Sequence, residues 1–555
     1  MNNKIAGLIP PNSKTVLEII NNDFQTADKF VIKEQYFHIN PNCNYEIKDV
    51  SEVLPLKKVD TILFETSSFV NLSENAIVSM INKNIDCLKD DGLAIFALEN
   101  VAYIDNVMAI LNEEPLTVKT NLTIRELNKI INQSELTAIK NMKIAKETVA
   151  KRAIVEIAKA PLNVSHYIIY AMKKEAAKNL KSTFIQSYLG EVLVCAGIRV
   201  NEPNRFMTTK PGVYASATRS GEVLSLAPRD QYDNKIFINQ RVSFESVEQG
   251  INLFDSIVER NYLIIEEMDD NPVLWQKKYE ETKFINFIGV HGIQTSTEPL
   301  ADFFKQFNPN VKIFENQLSE LPPERDFAAE LAKHEPVTIF FGALNRDKDF
   351  YELLPAINKI AAEYGDNVAF KVIARTQLFD SIESNNKTFV GKKEVYDGQY
   401  VPYNIYEQEL RTSHISLLPL KDNIFNRSKS DLKFIECAGN GSVVLASPTV
   451  YSKNVKDGET GFIYQSIEDF YNKLKILINN HNKRIEIAKN AYNYVKHNRL
   501  LSQHYEERLD WYNELIARLP ELNKQVYDRL DVLKEKGLSA FGGFKDSDTK
   551  LEFRF

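Results

Sequence analysis

Short, nearly continuous apolar runs recur along this chain and alternate with longer stretches of helical periodicity. VLEII (16–20), VDTILFE (59–65) and LAIFALEN (93–100) open the series. EVLVCAGIRV (191–200), KIFINQR (235–241), NYLIIEEMDD (261–270) and FINFIGV (284–290) continue it. VTIFF (337–341), VAFKVIAR (368–375), HISLLPL (414–420) and GSVVLAS (441–447) complete it. Runs of this kind, bounded by turn residues, are expected of strands buried on both faces of a parallel sheet. Strands alternating with helices give an α/β fold of doubly wound sheets. Residues 146–185 read as a helix-rich connector broken at Pro161, and 487–519 as a helix with one apolar stripe. The tail from Gly537 reads as irregular.

Polar residues repeat where these runs end, and an open parallel sheet binds ligands off the carboxyl ends of its strands. Arg199 with Glu202, Gln240 with Arg241, Asp269 with Asp270, and His291 all fall there. His291 stands between a strand end and a turn rich in Thr295, Ser296 and Thr297, which makes it a candidate active-site residue; a packing role is the alternative. The acidic run Glu266, Glu267, Asp269, Asp270 lacks the Asp/Asn ladder with a central glycine that a calcium loop needs, and it contains no DxD metal motif. A solvated strand end is its other reading. His166 with Tyr167 is either a ligand pair or a packed aromatic edge.

The stretch 425–464 carries the densest chemistry. Ser430 is placed to cap a short amphipathic helix, and Lys429, Lys433 and Glu436 fall at spacings of four and three, on one helical face. A helix N-terminus with lysines beside it is an anion site, and a carboxylate one turn further in suits two neighbouring hydroxyls of a ribose. Gly439 and Gly441 then mark a turn into the next strand. Upstream, Gly342 lets a ligand approach the backbone, while Asn345, Arg346 and Lys348 bring a donor and two cations to the same loop. An arginine fork bonds two oxygens of a diphosphate; solvation of the loop is the alternative role for these cations.

At 555 residues the chain is long enough for three to four domains, and 44% hydrophobic with 26% charged residues is the balance of a globular protein. A net charge of −7 supplies no basic footprint for nucleic acid. Cys43, Cys87, Cys195 and Cys437 are widely spaced, without CxxC or histidine partners, as in a reducing compartment. With no signal-like start and no run long enough to span a membrane, the expected location is cytoplasmic.

Two resemblances follow from these motifs. Residues 59–103, with LKDDG before a strand ending in Asn100, and LTIRELNKIINQSELTAIKNMKI (122–144) resemble the second half of class I S-adenosylmethionine-dependent methyltransferases. That family has a glycine-rich turn after its first strand, whereas no glycine lies between Gly7 and Gly92 here, so a Cβ would stand at each turn position. Glu18 and Asp60 are the residues such a site would use. The resemblance therefore implies an inactive scaffold. Residues from about 180 to 500, with the glycine-led basic loop, S-x-x-K-x-x-E (430–436), the glycine turn and DGETGF (457–462), resemble GT-B retaining glycosyltransferases of the family-four type. The resemblance implies that Gly342 is the close-approach glycine, Lys348 the lysine of the diphosphate-binding pair, Glu436 the ribose-binding glutamate, and Ser430 part of the phosphate loop. Ala343 stands where the pair's arginine usually follows the glycine, and Ser428 where an earlier glutamate often engages the donor sugar.

The expectation is an α/β chain of three Rossmann-like domains, the second and third forming a GT-B pair. Its parts are a methyltransferase-like domain (1–145), a helical connector (146–185), an acceptor-side domain (186–327), a nucleotide-sugar domain (328–500), and a C-terminal helix and tail (501–555) that crosses back to the first half of the pair. The implied activity moves a sugar from a nucleotide-diphosphate sugar to a glycan, lipid or protein acceptor, with retention and with no metal or other cofactor. Arg346, Lys348 and Lys433 would stabilise the departing diphosphate, and His291, Asp269 or Asp270 would orient or deprotonate the acceptor. Peripheral membrane association stays open. The alternatives are a methyltransferase fused to a sugar-binding domain and a non-catalytic nucleotide-sugar-binding module.

Overall fold

A computed structural model of the protein describes residues 2–21, 31–52, 57–100, 122–145, 164–190, 194–327, 335–342, 347–391 and 401–544. The chain divides into two compact units: residues 1–185 with 204–215 and 230–235, and residues 186–203 with 216–229 and 236–555. Among the described residues these units contain mixed α/β structure with three six-stranded sheets.

The first sheet contains β1 (Thr15–Ile20), β2 (Asn44–Asp49), β3 (Val59–Phe64), β4 (Leu88–Glu99), β5 (Leu136–Ala145) and β6 (Val164–Lys173), in the order β2-β1-β3-β4-β6-β5. Strands β1 to β4 pair in parallel, while β6 is antiparallel to both β4 and β5. Alternate residues feed two cores: Leu17, Ile19 and Phe64 on one face, Val16, Leu63 and Ile95 on the other. Residues 164–173, expected to be helical, are a strand because SHYIIYAM has the continuous apolar, aromatic content that a central strand buries. The pair His166–Tyr167 lies in it, and burial pulls the imidazole of His166 down to about 4.

The second sheet contains β7 (Thr183–Leu189), β8 (Val213–Arg219), β9 (Asn234–Gln240), β10 (Leu263–Glu267), β11 (Gly292–Thr295) and β12 (Val311–Ile313), in the order β12-β11-β10-β9-β7-β8. Strands β9 to β12 are parallel. Two runs expected as strands are helical. Residues 194–201 form a short helix with a π-turn, and 285–288 form one helical turn entered through left-handed backbone at Lys283 (φ 51°) and Phe284 (φ 53°). A short apolar run fits a buried helix as well as a strand, so its period alone does not decide.

The third sheet contains β13 (Val337–Phe341), β14 (Val368–Ile373), β15 (Lys387–Val390), β16 (Ile415–Leu418), β17 (Val443–Ala446) and β18 (Phe462–Ile463). Every pairing is parallel and the order is β15-β14-β13-β16-β17-β18. Counted within this lobe the order is 3-2-1-4-5-6, so that strands are added outward in opposite senses on the two sides of the β13–β16 junction, the switch point at which such sheets bind ligands. Both faces are covered: Ile339 and Phe341 face one core, Phe340 the other.

The predicted C-terminal helix is three: His481–Asn498, Glu506–Ala517 and Leu519–Lys536. The last two pack back on the second sheet. Tyr512 donates to Gln294 Oε1 at 2.6 Å, Trp511 meets Phe314 edge-on, and Arg529 donates to the carbonyls of Ile288 and Val290 at 3.0 and 2.6 Å. Among the described residues no helix is long and apolar enough to cross a membrane.

Candidate functional site

The carboxyl end of β13 opens at Gly342. A Cβ there would lie 2.0 Å from Cε1 of Phe340, so any other residue would have to displace that buried ring. Asn345 and Arg346 lie outside the described residues. Lys348 is exposed on the short helix Asp347–Tyr351 that follows.

Across the switch point, the loop after β16 leads into the helix Leu432–Gly439. Its N-cap is Asp431 and not Ser430, and Asp431 makes no side-chain cap bond. Its carboxylate is otherwise engaged: Arg499 donates to both oxygens at 2.5 and 2.8 Å, and Asn454 donates at 2.7 Å. Ser430 instead accepts from Asn316 Nδ2 at 2.8 Å. Lys433 and Glu436 share a helical face as their spacing predicts, with Nζ donating to Oε2 at 2.8 Å. Tyr406, on the helix Tyr403–Arg411, joins them: its hydroxyl donates to Glu436 Oε2 at 2.9 Å and accepts from Lys433 Nζ at 3.1 Å. Glu436 is 2% exposed and Lys433 is 34% exposed, so the carboxylate lies beneath a reachable ammonium. The helix ends at Gly439, and Gly441 makes the turn with φ 72°, a left-handed value that favours glycine.

Lys429 does not join that face, because it precedes the helix. Its ammonium is ion-paired with Asp270 and lies 4.2 Å from the ring centroid of Phe425. Asp270 follows β10, on the facing lobe of the same compact unit. Three more bonds run alongside: Asn271 Nδ2 to Ser428 Oγ at 3.0 Å, Thr297 Oγ1 to the Ser428 carbonyl at 2.9 Å, and the Asn316–Ser430 bond. The carboxyl ends of the second and third sheets therefore meet at residues 428–430.

Arg241 organises the first-lobe rim. It donates to Asp269 Oδ1 from Nε at 2.7 Å and to Asp270 Oδ2 from Nη2 at 2.8 Å, with the exposed ring of Trp275 5.9 Å from its guanidinium. Burial pushes the Asp270 carboxyl up, but Lys429 and Arg241 outweigh it and hold the group below its ordinary range. Arg241 itself has left-handed backbone, φ 52°, the kind of local cost that persists where surrounding contacts enforce it. The acidic run is split by strand alternation. Glu266 faces Asn239 (2.6 Å) and is raised well above the carboxylate range by burial, whereas Glu267 on the opposite face binds Arg199 Nε at 2.8 Å.

His291 does not reach the rim. Its Nδ1 accepts from the Ile264 amide at 2.8 Å, and its Nε2 lies 2.8 Å from Asn523 Oδ1, which fixes the Nε2–H tautomer. The ring is fully buried and desolvation lowers it to about 4, so it is a neutral structural link between β11 and the last helix. Glu18 and Asp60 are likewise engaged internally. Glu18 accepts from Tyr45 at 2.8 Å and is raised by burial and by Glu65, while Asp60 accepts from the Thr15 amide and hydroxyl at 2.8 Å and from Lys89.

Tyr406, Asp431 and Arg499 are the site residues that sequence reasoning missed. No local signal marks them, since their partners lie 30 and 68 positions away. Arg241 was visible only as one of several polar strand ends.

Residues 370–512, about a quarter of the chain, match the sequence model of a family described as glycosyl transferase-like. No curated protein matches the chain. Among solved structures it is similar to sucrose-phosphate synthase from Thermosynechococcus elongatus (11% identity, TM-score 0.43, 61% of this chain and 100% of that one). It is similar also to a glycosyltransferase from Rickettsia africae (12%, TM-score 0.42, 60% and 99%). A third is HepE from Anabaena in complex with UDP and glucose (12%, TM-score 0.38, 63% and 100%). The family match covers the helix of Lys433 and Glu436, together with Tyr406, Asp431 and Arg499.

Proposed function

We propose that the second compact unit is a GT-B glycosyltransferase that moves a sugar from a nucleotide-diphosphate sugar to a glycan, lipid or protein acceptor, without a metal and with retention. One observation carries this reading. A buried carboxylate, Glu436, and a lysine stand at the carboxyl end of a 3-2-1-4-5-6 sheet, within residues that match a glycosyl transferase-like family. Glu436 would take the ribose hydroxyls. Lys348 and Arg346 would meet the diphosphate and stabilise the negative charge that develops as the sugar–oxygen bond breaks, the term expected to dominate the barrier. On the facing rim, Asp269 and Asp270 are held by Arg241. The Asp270 carboxyl, held below its ordinary range by Lys429 and Arg241, suits orienting an acceptor hydroxyl better than removing its proton.

The test is turnover of a panel of nucleotide sugars by the full chain, wild type against Glu436→Ala and Lys348→Ala, read as release of nucleoside diphosphate. Loss of release in both variants supports a transferase. Binding of nucleotide sugars with no release on any acceptor would favour the non-catalytic module.

For the first unit we infer a methyltransferase-like scaffold without a working cofactor site. Support comes from the antiparallel strand β6 inserted beside β4 and from Glu18, whose carboxyl is buried against Tyr45. Calorimetric titration of the whole protein with S-adenosylmethionine tests it, and saturable binding would overturn it.

A further inference from the structure

Tyr406 comes from a different helix than Glu436, yet it closes a triangle with Glu436 and Lys433 in which each group bonds the other two. Both bonds to the carboxylate fall on Oε2, and among the described residues none is made to Oε1. The Lys433 ammonium also lies 4.2 Å from the Tyr406 ring centroid, so the cation is held by the ring as well as by the hydroxyl. Tyr406 itself has little freedom. It is 7% exposed and packs against Tyr403 at 5.9 Å and Phe340 at 6.0 Å, the same Phe340 whose ring lies against Gly342. The tyrosine thus connects the strand that opens the diphosphate loop to the helix that carries the carboxylate.

A glutamate has three side-chain torsions, and a single lysine partner leaves most of them unset. A second bond from a packed phenol fixes Oε2, and because the carboxylate is planar, Oε1 is then fixed too. We propose that Tyr406 is a positioning residue that presents Glu436 Oε1 to a vicinal diol and so gives the site its preference for ribonucleoside over deoxyribonucleoside diphosphates. This rests on the nucleotide-sugar reading given above. A site built to bond a hydroxyl rejects the analogue that lacks it, because its own polar atom is then left unpaired. The same geometry changes the part of Lys433: with two donors directed to Tyr406 and Glu436, it belongs to the ribose end of the site and not to the diphosphate.

The experiment is calorimetric titration of the full chain with UDP, GDP, ADP and CDP and with their 2′-deoxy and 3′-deoxy forms. Wild type, Tyr406→Phe and Lys433→Met are compared, with a melting curve for each. Wild type is expected to bind one ribonucleoside diphosphate about tenfold or more tightly than its deoxy forms. Tyr406→Phe should weaken the ribo form and leave the deoxy forms nearly unchanged, bringing the ratio toward one. Lys433→Met leaves the phenol holding Oε2, so it should lower affinity while keeping the ribo preference, and this arm stands even where Tyr406→Phe does not fold. A wild-type ratio in Tyr406→Phe, or loss of the ratio in Lys433→Met, would overturn the positioning role and leave the nucleotide reading intact. Failure of wild type to bind any of the diphosphates would overturn that reading, and this inference with it.

Discussion

Arg499 grips Asp431 through two parallel hydrogen bonds, Nη1 to Oδ2 and Nη2 to Oδ1, with the side chains only 3% and 7% exposed. Nη2 also donates to the Asn316 carbonyl at 2.8 Å, and the Arg499 carbonyl accepts from Leu318 at 2.9 Å. One arginine therefore ties the start of the Leu432–Gly439 helix to the segment that joins the two lobes. Arg499→Met would leave a buried carboxylate unpaired and should cost about 3–5 kcal/mol. Arg499→Met with Asp431→Asn should cost less than the two single changes added together. Urea unfolding of the three variants checks both statements, and a single-variant loss below about 1 kcal/mol would count against the pair's buried geometry.

Lys429 and Asp270 join the carboxyl ends of the second and third sheets, and both side chains are partly exposed, 23% and 15%. Solvent screening reduces the pair, so Lys429→Met and Asp270→Asn should couple by about 1 kcal/mol in a double-mutant cycle, with the coupling shrinking in high salt. Additive effects at low salt would mean that the two sheet ends are held by the neighbouring hydrogen bonds alone.

His291 gives the protein an acid-side weakness. Its imidazole falls to about 4 when folded, against 6.5 unperturbed. Between those values the unfolded chain binds the proton and the folded chain does not, so stability is full above pH 6.5 and is lost as pH falls toward 4. The contribution is on the order of 3 kcal/mol. His166 and His414, lowered to about 4 and about 3 by burial, act in the same direction. In His291→Gln the slope of unfolding free energy against pH should be shallower over this window. An unchanged slope would contradict the desolvated, neutral ring.

The roles of the lysines should separate kinetically. On the proposed diphosphate role of Lys348, Lys348→Ala should lower kcat by about a hundredfold with a smaller change in KM. Lys433→Met, which removes a donor to Glu436 and Tyr406, should raise KM about tenfold with less effect on kcat. The reverse assignment of the two effects would return Lys433 to the diphosphate.

Much of the third sheet could be read from the chain because the runs of β13 and β17 are short and rich in β-branched residues, which tips a buried apolar run toward a strand, and β13, β16 and β17 are indeed buried on both faces. Lys433 with Glu436 was legible for a local reason, a spacing of three on one helix. Lys429 was misassigned by the same rule, since spacing says nothing about where a helix begins, and here the helix begins at Leu432, after an Asp431 whose carboxylate is held by Arg499, 68 residues later. Residues 284–290 failed for want of length: four helical residues leave no period to detect. His291 looked catalytic because its partner Asn523 lies 232 positions away.

The helices Glu506–Ala517 and Leu519–Lys536 finish a lobe whose sheet was completed some two hundred residues earlier, at β12. On a ribosome that sheet emerges with His291, Gln294 and the carbonyls of Ile288 and Val290 lacking their later partners. It waits in that condition while the whole of the other lobe is synthesised and folds. Shortening the gene before codon 506 would make this interval permanent, and the product should be a sticky, chaperone-bound species even though every residue of the third sheet is present.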